Sequence, residues 1–264
     1  MNPTLTIITF TERLFMKNSL SQNLGFLSLP YLRDEIDSLM ADAVKKQMPL
    51  AEFFNIVIEA EVFQKQQRAI DRRISRAKFP QKKAIETFDW SHPKKINIEL
   101  VRYLFTLNFL EGEHKKNVAF LGLPGLGKTH LMTALGIQAC RHGYSVIFET
   151  AANVINMLHA AQASGDIIKA LKIYTRPDIL CLDEIGFLPI DQTGANLLFQ
   201  VFSARYERGA TMLTSNKAFK DWGEIFNDSA IASAILDRIL HHCEVVTIEG
   251  KSYRMNPKKT ITTV

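Results

Sequence analysis

Apolar positions along this chain change their period near residue 97. Between about Leu20 and Lys83 they recur at helical spacing, as in 31–47, where Leu32, Ile36, Leu39, Met40 and Ala43 share one side. Pro49 suits the first turn of a second helix, predicted from Leu50 to about Lys78. In its later part Phe63, Ile70, Ile74 and Ala77 fall within one arc at about 100° per residue, opposite Lys65, Arg68, Arg72 and Arg76. The apolar stripe is expected to pack, and the basic one to meet solvent or an anion. Pro80 and Ser91-His92-Pro93 then break the helical pattern and mark a linker.

From Asn97 onward short apolar runs alternate with helical segments. Helices are predicted over 97–111, 128–141 (stopped near Gly143), 193–206 and 230–242, with another capped by Thr150. Strands are predicted over 117–121, 144–148, 178–182, 210–214 and 244–248. This alternation predicts an α/β fold with a parallel sheet flanked by helices, preceded by a small all-helical N-terminal domain. The expected boundaries are a tail over 1–19, either disordered or a mistaken start, a basic helical domain over 20–83, a linker over 84–96 and the α/β domain over 97–264.

Between the first strand and its helix, Gly122-Leu123-Pro124-Gly125-Leu126-Gly127-Lys128-Thr129 satisfies the P-loop pattern in full, with His130 following. Such a loop binds phosphate through backbone N–H groups and must wrap closely around it, which glycines at 122, 125 and 127 permit. Lys128 is placed to reach the β- and γ-phosphates of ATP, and the Thr129 hydroxyl to hold Mg²⁺. The next apolar strand ends in Asp183-Glu184. Burial explains the apolar run but not two acids at its tip. Asp183 is assigned to the Mg²⁺ shell and Glu184 to the general base that polarises water. Because a hydrolase needs a base for water, the adjacent pair favours an ATPase over a small-molecule kinase. Thr214-Ser215-Asn216 ends another strand, and ligands of parallel sheets sit at strand carboxyl ends, so Asn216 either orients water and γ-phosphate or serves a turn.

Composition narrows the setting. The net charge of +5 is local: eight basic residues against one acid give 64–83 a charge of +7, leaving −2 for all the rest. Lys65, Arg68, Arg72, Arg73, Arg76 and Lys78 are candidate contacts to the phosphates of double-stranded DNA, the alternative being a solvated helix face. No aromatic residues interleave with these charges, which favours backbone contact over base stacking. Three scattered cysteines fit a reducing compartment. His241-His242-Cys243 makes a poor chelate, since adjacent helical residues point in different directions. No run approaches the roughly 18 apolar residues of a membrane span, and the mildly apolar 4–10 precedes its charges, unlike a secretory signal. A cytoplasmic protein with no membrane partner is expected.

Several stretches together resemble the IstB-like family, the AAA+ ATPase helpers of insertion-sequence transposition, related to DnaC-type helicase loaders. They are Ala77-Lys-Phe-Pro80, Phe88-Asp-Trp90, 117–130 with its Lys-Thr-His ending, Asp183-Glu-Ile-Gly-Phe-Leu-Pro189, Thr214-Ser-Asn216, Ile235-Leu-Asp-Arg-Ile-Leu-His-His242 and Glu249-Gly-Lys-Ser-Tyr-Arg254. Leu123 and Leu126 depart from the commoner loop residues at positions that contribute backbone. The resemblance implies an AAA+ P-loop fold, ATP-dependent homo-oligomers on DNA, and presentation of target DNA to a partner transposase. By position, Asn216 resembles the sensor-1 residue and Arg238 an arginine finger for a neighbouring subunit; from sequence alone Arg238 is equally a surface arginine. Arg254 receives no firm role. A helicase loader, a P-loop kinase and a non-hydrolysing ATP-binding scaffold are the competing readings.

Overall fold

Strands covered on both faces cannot alternate apolar with polar residues. The runs Asn117–Leu121 (β1), Val146–Thr150 (β2), Ile179–Ile185 (β3), Ala210–Ser215 (β4) and Cys243–Thr247 (β5) are accordingly apolar for at least half of their length. In the computed structural model, which describes residues 19–255, they form one parallel sheet in the order β2-β3-β4-β1-β5. The helices are Leu20–Phe26 (α1), Pro30–Lys45 (α2), Leu50–Ala77 (α3), Ile98–Phe105 (α4), Lys128–Arg141 (α5), Ala151–Ala163 (α6), Ile167–Thr175 (α7), Gln192–Arg205 (α8), Trp222–Phe226 (α9) and Ser229–Leu240 (α10). On one face of the sheet Val118, Phe120, Cys181 and Met212 meet Leu104 of α4 and Leu131 and Leu135 of α5. On the other, Ala119, Leu121, Leu180 and Leu213 meet Val154 of α6, Leu198 of α8 and Ile235 of α10. The parallel sheet with flanking helices follows the expected class.

The expected tail over 1–19 lies outside the described residues except for Ser19, which caps α1 by accepting from Gln22 N–H. The chain divides into two compact units, residues 1–69 and 70–264, with the division inside α3. Within the first, Leu32, Ile36 and Val57 form a small core joined by Leu24, Leu39 and Phe53. Glu61 on α3 is 3% exposed and accepts from the Leu32 N–H at 2.9 Å. Its carboxylate thereby caps α2, whose own N-cap residue, Leu29, has no side chain to do so. Phe63, expected in the packing stripe, is instead 56% exposed. Burial on this part of α3 runs through Val57 and Glu61, one turn apart, and Phe63 lies off that line.

In the second unit, tertiary packing overrides local pattern in several places. The helix expected over 97–111 stops at Phe105, because Leu107 takes a left-handed φ of 65° and turns Phe109 and Leu110 into the core. Strand β2 begins two residues later than expected. Gly143 (φ 96°) ends the preceding turn, and Ser145 is taken up by Asp178, which accepts from its N–H at 3.0 Å and its hydroxyl at 2.7 Å. Burial opposes the Asp178 charge, yet its bonds to Lys115 and Ser145 hold the carboxyl down at about 2. The stretch 84–96 packs onto this unit: Phe88 is buried in the core cluster, with Ile85, Trp90 and Ile96 against it. Helix α7 has no counterpart among the expected elements.

Arg205, at the end of α8, is 1% exposed. Its guanidinium donates to the carbonyls of Tyr174, Pro177, Asp178 and Ala210 and to the Thr211 hydroxyl, tying α7, α8, β3 and β4 together. Burial pulls its pKa down to about 10, so it stays charged at neutral pH. Arg205→Met should therefore leave several buried acceptors unpaired and destabilise the protein by about 3–5 kcal/mol, comparable to breaking a buried ion pair. Urea unfolding followed by circular dichroism measures this, and a wild-type midpoint would contradict it.

Candidate functional site

The chain leaves β1 at Leu121 and must reverse within a few residues to start α5. It does so through three glycines at positive φ, Gly122 at 150°, Gly125 at 79° and Gly127 at 87°. Gly127 is the N-cap of α5 and supplies no side-chain cap bond. The first amides of α5 therefore face the loop's interior without an intrahelical acceptor, the arrangement that suits an anion. The Lys128 Nζ donates to the carbonyls of Gly122 (2.7 Å) and Leu123 (2.9 Å), folding the side chain back over the loop. Burial lowers its pKa, opposed by Asp183, reinforced by Arg254 and opposed again by Glu184.

Two segments distant in sequence hold the loop. A Cβ on Gly127 would lie 2.6 Å from the Phe88 ring, and one on Gly125 would lie 2.1 Å from the Ser252 hydroxyl. Tyr253 N–H donates to the Gly125 carbonyl at 2.9 Å, and the His92 Nε2 lies 2.8 Å from the Lys251 carbonyl. His130 turns away from the loop, its Nε2–H donating to the Ala84 carbonyl at 2.9 Å. Burial lowers the His130 pKa more than the Ala84 bond raises it, so the ring is neutral at pH 7.

The acids of β3 occupy different environments although they are adjacent. Leu182 pairs with Leu213 and Ile185 with Ser215, so Asp183 and Glu184 together stand opposite the single residue Thr214. This bulge puts Glu184 at φ 62° and exposes it, while Asp183 stays 5% exposed. Asp183 accepts from the Thr129 hydroxyl at 3.0 and 3.1 Å and from the Thr214 hydroxyl. Thr214 in turn accepts from the Glu184 N–H at 3.0 Å. One hydroxyl thus fixes both acids.

Lys128, Thr129, His130, Asp183 and Glu184 line a cavity of about 710 Å³, together with Gly125, Leu126, Gly127, Phe88, His92, Tyr253 and Arg254. That volume is within the range of cofactor pockets. Asn216 follows β4 at the same edge of the sheet, and its Oδ1 is buried with no hydrogen-bond partner among the described residues. Arg238 is not brought to this cavity. It lies on α10, donating to the Ala234 carbonyl at 2.9 Å with its guanidinium 4.6 Å over the Phe199 ring. Phe88, His92, Ser252 and Tyr253 were not assigned to the site from sequence. The Phe-Asp-Trp and Ser-Tyr-Arg stretches mark Phe88, Ser252 and Tyr253 as part of a pattern and His92 falls in the expected linker, but nothing local says that they meet the loop.

The basic residues divide as well. In the first unit Lys65 is exposed, whereas Arg68 donates to Glu61 at 3.3 Å and to the Gln64 carbonyl at 3.1 Å. In the second, Arg72, Arg76 and Lys78 are exposed and Arg73 is half-buried.

A family model described as IstB-like ATP binding protein matches residues 22–261. The chain belongs to this family. Among its relatives it is 38% identical to the insertion sequence IS5376 ATP-binding protein from Geobacillus stearothermophilus, over 92% of this chain and 96% of that one. It is also 38% identical to that of IS21 from Pseudomonas aeruginosa, over 89% and 88% of the two chains. The IS232 counterpart from Bacillus thuringiensis subsp. berliner is 36% identical, over 91% and 96%. The fold is similar to that of the DnaC helicase loader (TM-score 0.52, 24% identity, 63% of this chain and 96% of that one). It is similar too to AMPPCP-bound DnaA from Aquifex aeolicus (TM-score 0.54, 21% identity), of whose chain the match spans about half, 51%, against 65% of this one. This IstB-like chain therefore has an AAA+ fold. Among the described residues no helix is long and apolar enough to cross a membrane.

Gly125→Ala should destabilise the protein by about 1–3 kcal/mol, since both the left-handed backbone and Ser252 oppose a side chain there. Adding Ser252→Gly should restore only part of the loss, because the φ of 79° remains. Chemical denaturation of the single and double variants tests this; full rescue would show that packing alone was at fault.

Proposed function

We propose that this protein is an ATP-hydrolysing AAA+ regulator of insertion-sequence transposition, acting in the cytoplasm on double-stranded DNA with a partner transposase. The observation that carries the reading is the pairing of Thr129 with Asp183 beneath a phosphate-type loop, with Glu184 raised beside it by the bulge. The residues fit a nucleotide. The α5 amides have no side-chain competitor and the cavity is large enough; Asn216 is not among the residues lining it, but its buried Oδ1 has no partner among the described residues.

In this reading 122–130 cradles the phosphates, with Lys128 as their charge partner. Thr129 and Asp183 are the residues that would hold Mg²⁺, which supplies neutralisation of phosphate charge when bound. Glu184 accepts the proton of the attacking water. The bulge gives it an exposed carboxylate, while its backbone stays tied to Thr214. Asn216 positions that water or the γ-phosphate. Arg254 lies on the cavity wall beside Lys128, and its positive charge suits phosphate oxygens there. Arg238, remote from its own chain's cavity, acts on that of a neighbouring subunit in an ATP-dependent oligomer. Lys65, Arg72, Arg76 and Lys78 contact DNA phosphates, assisted by Arg73; Arg68, held by Glu61, contributes less than its position on the stripe suggests.

Three insertion-sequence relatives at 36–38% identity favour transposition over helicase loading, since the loaders share only the fold at these identities. Glu184→Gln should retain ATP binding while turnover falls by about 10²-fold or more, leaving oligomers trapped on DNA. Phosphate release and sizing on duplex DNA check this, and wild-type turnover would remove Glu184 from the mechanism. Lys128→Ala should lose nucleotide binding. Changing Lys65, Arg72 and Arg76 to Glu should weaken duplex binding and flatten its dependence on salt; an unchanged slope would return these residues to a solvated role.

A further inference from the structure

The edge of the sheet opposite the cavity brings a second set of chemistry-bearing residues together. Strand β1 pairs directly with both β4 and β5, all parallel, so the turns that enter these three strands converge. Those turns carry His114 before β1, Glu207 before β4 and His242 before β5. One ligand atom from each of the three lies within 4.8 Å of the others. The imidazoles of His114 and His242 are stacked, 5.1 Å between centroids and 19° between planes.

A second observation points to a missing ligand. The Nε2 of His242 is buried with no hydrogen-bond partner among the described residues. Leaving a buried ring nitrogen unpaired is costly, and such a group is commonly explained by an ion or a water. Its backbone is fixed, since the His242 carbonyl accepts from Asn117 N–H at 2.7 Å. The turn holding Glu207 takes a left-handed φ of 59° at that residue, and its exposed side chain shares a hydrogen bond with Tyr206 that an inward rotation exchanges for an ion. Two cationic side chains lie close by. Lys115 is paired with Asp178 at 2.9 Å and Arg238 is stacked over Phe199, so the neighbour that engages the carboxylate of Glu207 is the neutral Tyr206.

We propose that His114, Glu207 and His242 form a binding site for a borderline divalent transition metal, Zn²⁺ by its donor set. Two imidazole nitrogens and one carboxylate oxygen select such an ion over Mg²⁺ or Ca²⁺, which prefer all-oxygen shells. A tetrahedral site with bonds near 2.0–2.1 Å needs ligand atoms about 3.4 Å apart, so side-chain rotations on the order of 1 Å close it, with water as the fourth ligand. The metal staples the entries of β1, β4 and β5, and with them the end of α10, independently of nucleotide. Two histidines 128 residues apart and a glutamate between them, with no short spacing, leave no motif in the sequence.

The test uses tag-free full-length protein without nucleotide, titrated with Zn²⁺ by calorimetry and with Co²⁺ by visible spectroscopy. The expected result is one Zn²⁺ per chain, a rise in Tm with Zn²⁺, and the intense bands of tetrahedral Co²⁺. His114→Ala and, at the exposed carboxylate, Glu207→Gln should each weaken Zn²⁺ binding at least about tenfold, the lower bound seen even for outer-shell partners. Failure of the wild type to bind Zn²⁺ overturns the proposal. So does equal binding by either folded variant, which would place the metal elsewhere or leave only water beside His242.

Discussion

A carboxylate buried to 5% exposure must be paid for by the groups around it, and Asp183 is surrounded by hydroxyls from two other elements. Thr129 reaches it from the first turn of α5 and Thr214 from the end of β4. The charge therefore fixes the distance between the start of the loop helix and two neighbouring strands of the sheet. With that distance set, the glycine-rich turn has one place to go. The turn's shape in turn decides which amides face the cavity and where Lys128 folds back. Remove the acid, and the two hydroxyls lose the partner that aligns their elements.

The same strand end shows how adjacent, chemically similar residues acquire different properties. A regular strand would point Asp183 and Glu184 to opposite faces of the sheet, both of which are covered. The bulge opposite Thr214 instead keeps one acid inside and lifts the other out at left-handed φ. Backbone strain at a polar tip is retained where neighbouring structure over-determines it, and here a single threonine hydroxyl bonds both residues.

Much of this architecture is legible in the chain. The loop pattern, the apolar run ending in two acids and the alternation of strand and helix place β1, α5 and β3 within a few residues of where they lie. Local pattern fails where distant packing decides. Leu107 breaks a helix that its neighbours would continue, because Phe109 and Leu110 are needed in the core. Ser145 leaves its strand for Asp178, 33 residues away. The bulge at Asp183–Glu184 has no signal of its own, since no proline or glycine marks it. Arg68 looks like part of a uniform basic face, and only the burial of Glu61, seven residues earlier, shows that its charge is engaged.

The supports of the loop come from both ends of the second unit. Phe88 and His92 precede the first strand, while Ser252 and Tyr253 follow the last. An excised ATPase fragment cut where the linker was expected to end, at residue 97, would contain every residue of the phosphate-binding pattern and still lack the aromatic wall against Gly127. A minimal autonomous piece has to begin upstream of Ala77, itself fully buried in the core, and extend through Arg254. Splicing or shuffling that respects only the motif boundaries would yield a loop with the right letters and no scaffold to keep its form.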